Sequence, residues 1–159
     1  MKHLRFITLS FAVVMLLSSV LATNAQKADI TAIEARAVEL TKWIVKNSAF
    51  KFAKPPPVVL LPQATLTHIF GMDNMVQAAY YPGVILALDD FDLGVNDDVL
   101  LHELVHHLQF ESGKIRYEKD VCTAPAEMEA YSLQNKFVRE VGIGIEQDAM
   151  TLFMIASSC

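Results

Sequence analysis

His102-Glu103-Leu104-Val105-His106 is the stretch whose residue types and spacing could do chemistry. On a helix, side chains four residues apart share a face, one turn from each other. Two imidazoles so placed can grip one zinc ion. Glu103 sits beside them, where its carboxylate could take a proton from a water polarised by the metal. The chemistry also needs a helix under the motif, a third ligand, and one coordination position left open.

The flanking sequence supplies the helix. Asn96 reads as its N-cap, and Asp97 and Asp98 fill the first turn, where the helix dipole favours acids. Gly113 stops it after Glu111. Leu101, Leu104, Val105 and Leu108 form an apolar stripe. His107 lies about 100° round the helix from His106. It reads as a surface or rim histidine that can approach Glu103 one turn away. Asp89, Asp90 and Asp92 read as a solvated loop, one of which could accept a hydrogen bond from a zinc-bound histidine.

A second helix is expected from Ala124 to Val141, with Pro125 in its first turn and Gly142 and Gly144 beyond its end. It carries Glu127-Met128-Glu129-Ala130-Tyr131. H-E-x-x-H on one helix, followed by a second helix bearing E-x-x-A-D or a near variant, resembles the gluzincin metallopeptidases. The likeness covers residues 84–140 and is greatest to very small gluzincin-like domains of bacteria. It implies His102, His106 and Glu127 as ligands of one zinc ion, with Glu103 as general base. It also implies hydrolysis of a peptide or protein substrate, laid as an added strand along Val84–Leu88 or Met75–Tyr81. Tyr131 stands where the pattern has an aspartate that orients a ligand histidine. Glu129 competes with Glu127 for the metal; the two are 200° apart on a helix and cannot both face it. Asp120 is a loop-borne rival. Glu129, Tyr131 and His107 are thus the residues that could stand behind the ligands or replace one. A rival reading of the same residues is a catalytically silent, peptidase-like zinc-binding module that acts through a protein partner.

The rest of the chain must position these residues. Its 159 residues suit one domain. Residues 1–25 read as a secretory signal peptide: Lys2 and Arg5, an apolar run from Phe6 to Val20, and a cut after Ala25. The mature protein is then expected to be secreted or periplasmic, with contact to a membrane only if that segment stays uncleaved. Residues 26–159 are then expected to form a single zincin-like domain, as the resemblance implies. Removing the leader takes away two of 13 basic side chains and none of 18 acids. So acidic a protein is a poor partner for nucleic acid. In an exported chain the two cysteines, Cys122 and Cys159, suggest one disulfide.

Asp29 to Ser48 reads as an amphipathic helix, with Thr31 and Glu34 as a capping box and Asp29 as a rival cap. Pro55-Pro56-Pro57 forces an extended segment before a short strand, Val58–Leu61. Ala64–Phe70 reads as a short helix. Met75–Tyr81 and Val84–Leu88 read as strands around Pro82-Gly83, in a turn that fits a tight hairpin poorly. A last helix, Ile145–Ile155, reads as core cover. The expected class is α+β: a minimal zincin-like domain with a small mixed or antiparallel sheet against the motif helix, the ligand helix and flanking helices.

Overall fold

The computed structural model describes residues 29–70, 76–116 and 122–157. The expected signal peptide, Asp120 and Cys159 lie outside the described residues. In chain order the elements are α1 (Ile30–Asn47), β1 (Val58–Leu61), α2 (Gln63–Phe70), β2 (Ala78–Tyr81), β3 (Val84–Leu88), α3 (Asp97–Glu111), α4 (Ala124–Val141) and α5 (Ala149–Ala156). The class is α+β.

The sheet is mixed, in the order β1-β3-β2. β3 pairs parallel with β1, Val58 opposite Ile85, and antiparallel with β2, Tyr81 opposite Val84. Pro82-Gly83 therefore does close a two-residue hairpin. Gly83 supplies the positive φ of +90° that the second turn position requires after proline. β3 lies in the middle, so of the two strands expected to receive a substrate only β2 keeps an open edge. The Leu88 N–H donates to the Gln77 carbonyl at 3.0 Å. Strand alternation then turns the backbone groups of Ala78 and Tyr80 away from β3, toward that edge.

α3 is the axis of the fold. It packs against α1, α4 and β2, and 12 of its 15 residues are buried. Leu100, Leu101, Leu104 and Val105 are fully buried against Ile33, Ala37 and Ile44 of α1 and Ile85 of the sheet. Each such side chain contributes about 1.5–3 kcal/mol. That apolar surround is what allows polar groups on the remaining face to be held in fixed places.

Several expectations are corrected. Asp29, rather than the Thr31–Glu34 box, caps α1, its Oδ1 accepting from the N–H of Thr31 at 3.0 Å. Asn96 does not cap α3 with its side chain. Its Oδ1 accepts from the Asp92 N–H, and its Nδ2 donates to Gln77 Oε1, so it ties the preceding loop to β2 instead. The last helix starts at Ala149, four residues later than expected. Ile145 and Gln147 give their N–H groups to side chains, Asp98 Oδ2 and Asn135 Oδ1, rather than to a helix. Asp148 then caps Thr151. α5 is not core cover: it buries no residue, and Met150, Phe153 and Met154 are each 67% exposed.

Candidate metal centre

His102 and His106 project from one face of α3, as their spacing requires, with ring centroids 4.7 Å apart. Glu127, in the first turn of α4, reaches across to both. The Nε2 atoms of the two histidines are 3.0 Å apart. Glu127 Oε2 is 3.2 Å from Nε2 of His102, and Oε1 is 3.4 Å from Nε2 of His106. These three residues form a group that could hold a metal ion.

The far side of each imidazole is held by a glutamine. His102 Nδ1 lies 3.0 Å from Gln134 Oε1, and His106 Nδ1 lies 2.8 Å from Gln109 Oε1. The orientation of both amides is fixed by what lies behind them. Gln134 Nε2 donates to Asp98 Oδ2 at 3.0 Å. Gln109 Nε2 donates to the Ala126 carbonyl at 2.9 Å and to Glu129 Oε2 at 3.1 Å. Those partners only accept, so each amide must turn its oxygen to the histidine. An amide oxygen also only accepts, so each Nδ1 carries the proton. Both Nε2 atoms are left with lone pairs directed at Glu127. The result is two parallel relays, His102–Gln134–Asp98 and His106–Gln109–Glu129.

Three acceptors converging on one point repel one another unless a cation or a proton sits among them. Without a metal, a proton does so. Burial pushes His106 down, but the hydrogen bond to Glu127 and the nearby carboxylates of Glu103 and Glu127 outweigh it and raise its pKa to about 9. Burial pushes Glu127 up, but its hydrogen bonds to the two histidines prevail and hold it well below the usual carboxylate range.

Glu103 is buried beside the pair. Its Oε2 accepts from the outward-facing N–H of Tyr80 at 2.6 Å. Desolvation raises its pKa, opposed by His102, His106 and the Tyr80 hydrogen bond. Tyr131, one turn beyond Glu127, lays its ring 4.3 Å from that of His102. Burial, followed by the charges of Glu127 and Glu103, raises its pKa too. A cleft of about 1740 Å3 opens over the cluster, bounded by β2, α3, the start of α4 and residues 142–147.

The remaining candidates lie elsewhere. Glu129 faces Gln109 and Lys114, the latter at 2.7 Å. His107 is buried, not on the rim: its Nε2 lies 3.0 Å from the Lys54 carbonyl and its ring packs on Tyr80. Asp89, Asp90 and Asp92 are exposed, and the Nδ1 atoms of His102 and His106 meet glutamines instead. Cys122 is disulfide-bonded and lines the cleft. Gln134, Gln109 and Asp98 were missed as site residues. Their signal was spacing: Gln134 is seven residues after Glu127, on its face of α4, and Gln109 is three after His106.

Fold and site together define an α+β domain with a His/His/Glu group on two adjacent helices, suited to a metal ion. The chain belongs to the family described as Domain of unknown function (DUF6647), whose profile matches residues 29–159. No curated protein matches the chain, and no solved structure does.

Proposed function

We propose that the protein is an exported, zinc-dependent peptidase of the gluzincin type, in a minimal zincin-like fold. The observation that carries this is the convergence of donors: the two Nε2 atoms lie 3.0 Å apart, with Glu127 Oε2 at 3.2 Å from that of His102 and Oε1 at 3.4 Å from that of His106. A tetrahedral zinc with bonds of about 2.0–2.1 Å sets its ligand atoms about 3.3 Å apart. The two Nε2 atoms and the nearer Glu127 oxygen of each are separated on that scale, and one ligand atom from each residue lies within 4.8 Å of the others. Two neutral imidazoles and one carboxylate are also the donor set of an open, reactive site rather than a closed structural one.

His102, His106 and Glu127 would hold the ion, and zinc when bound supplies a Lewis acid that acidifies water and polarises a carbonyl. The chain's own groups do the rest. Glu103 is the base: burial raises its proton affinity toward the working range of such a group. Tyr80 holds one oxygen of that carboxylate and so aims it. Tyr131, which lines the cleft beside His102, would donate its phenol proton to a developing oxyanion. The open edge of β2 offers the Ala78 backbone to an extended peptide. The direct test is cleavage of a peptide library by the zinc-loaded mature protein, lost on chelation and restored by zinc.

A further inference from the structure

Asp98 sits at the far end of a relay, 3.0 Å from the Gln134 amide that holds His102, and it touches the cleft wall as well. Its Oδ2 also accepts the N–H of Ile145 at 3.1 Å. Gly144 lies directly on it: a Cβ built there would fall 2.5 Å from Asp98 Cγ. Gly144 has φ +103°, where side chains are rarely tolerated. Ile143, Gly144 and Ile145 line the cleft. One buried carboxylate oxygen thus receives two donors, one from the residue that orients a histidine and one from the wall.

We propose that Asp98 is a positioning residue that sets His102 for metal binding through Gln134, and that Gly144 keeps it in place. The inference rests on the metal-centre reading above but not on peptidase activity. Both bonds to Asp98 end on a single oxygen. An asparagine can present that same oxygen, while an alanine cannot. Charge is therefore secondary, and the acceptor atom is what matters. If Asp98 moves, the Gln134 amide loses the partner that fixes its orientation. His102 then loses the acceptor that keeps its proton on Nδ1, and Nε2 is no longer reserved for the metal. Losing a residue that holds a ligand histidine typically weakens metal binding about 10–100-fold.

The test is zinc affinity of the mature protein by competition with a chelator. It compares the parent, Asp98→Ala, Asp98→Asn, Gly144→Ala and the double Asp98→Ala/Gly144→Ala variant, each shown to be folded by circular dichroism. The expected result is a 10–100-fold loss for Asp98→Ala and for Gly144→Ala, with Asp98→Asn within a few-fold of the parent. The double variant should be no weaker than Asp98→Ala, because both changes break one link. Parent-like affinity in folded Asp98→Ala overturns the proposal. So does an Asp98→Asn variant as weak as Asp98→Ala, or single effects that multiply in the double variant. A parent that binds no zinc overturns the metal-centre reading itself, and is recognised because that arm involves no substitution.

Discussion

The Tyr80 N–H and the Glu103 carboxylate meet at 2.6 Å, joining the edge strand to the motif helix inside the protein. The bond occupies a backbone donor that would otherwise face the cleft unpaired, and fixes the carboxylate beside the two histidines. Burial makes the charged form of Glu103 costly, which is the direction of its pKa shift.

That cost gives the first prediction. A carboxylate whose folded pKa is raised takes up protons on folding, so its contribution to stability falls as pH rises above its unfolded pKa. Glu103→Gln removes the charge and keeps an oxygen for Tyr80. In metal-free protein the variant should melt at or above the parent's temperature at pH 8, with the gap shrinking as pH falls to 4. Glu103→Ala leaves the Tyr80 N–H unmet and should lose about 1–3 kcal/mol relative to Glu103→Gln. Thermal melts of the three proteins check both points.

Zinc should change how stability depends on pH. In the metal-free protein His106 is raised from 6.5 to about 9. Its contribution is complete below pH 6.5 and is lost as pH rises through about 9. Glu127 is depressed from 4.5, so its contribution is present above pH 4.5 and lost on acidification. The metal-free protein is therefore expected to melt highest between these limits and to weaken from pH 6.5 to 9. Zinc requires neutral imidazoles, so the loaded protein should keep its melting temperature across that alkaline span. Calorimetry with and without zinc at pH 6, 7.5 and 9 reads the difference.

The Arg36–Asp97 pair should matter for folding and not for metal. Nε and Nη2 of Arg36 both donate to Asp97 Oδ2, at 2.9 and 2.8 Å. This ties α1 to the start of α3. The carboxylate side chain is only 4% exposed, while that of Arg36 is 32% exposed. Losing the guanidinium strands a buried charge, at a cost of about 2–3 kcal/mol, below that of a fully buried pair because Arg36 is partly hydrated. Denaturant melts of Arg36→Ala should show this loss, with zinc affinity within a few-fold of the parent.

Cys122 is disulfide-bonded, and Cys159 is the chain's one other cysteine. Peptide mapping of unreduced protein should recover the two in one linked pair. Reduction should lower stability by about 3–4 kcal/mol, the loop-entropy value for a closure of that length.

The sequence made the secondary structure legible where local signals agreed. Helix α4 runs from Ala124 to Val141 as Pro125 and Gly142 imply, and β1 and β3 fall where their apolar runs end. The signal failed where side chains from elsewhere took over the backbone. Nothing within residues 145–148 says that Asp98 and Asn135 will claim the N–H groups of Ile145 and Gln147. The same limit applies to the site. His102, His106 and Glu103 were legible because one helix turn places them. The role of Glu127 came from a resemblance. The relays through Gln134 and Gln109 depend on how α3 and α4 pack, and the acceptor that the pattern expects at position 131 is provided by Gln134, three residues on. His107 looked like a rim residue because helical angle alone does not say that Lys54 and Tyr80 will cover it.

The most direct measurement is zinc content and peptide cleavage of the protein beside its Glu103→Gln variant. About one zinc per chain is expected in both, with cleavage in the parent and a loss of about 10²–10⁴-fold in the variant. A parent without zinc, or a variant that cleaves as fast as the parent, would contradict a zinc peptidase with Glu103 as its base.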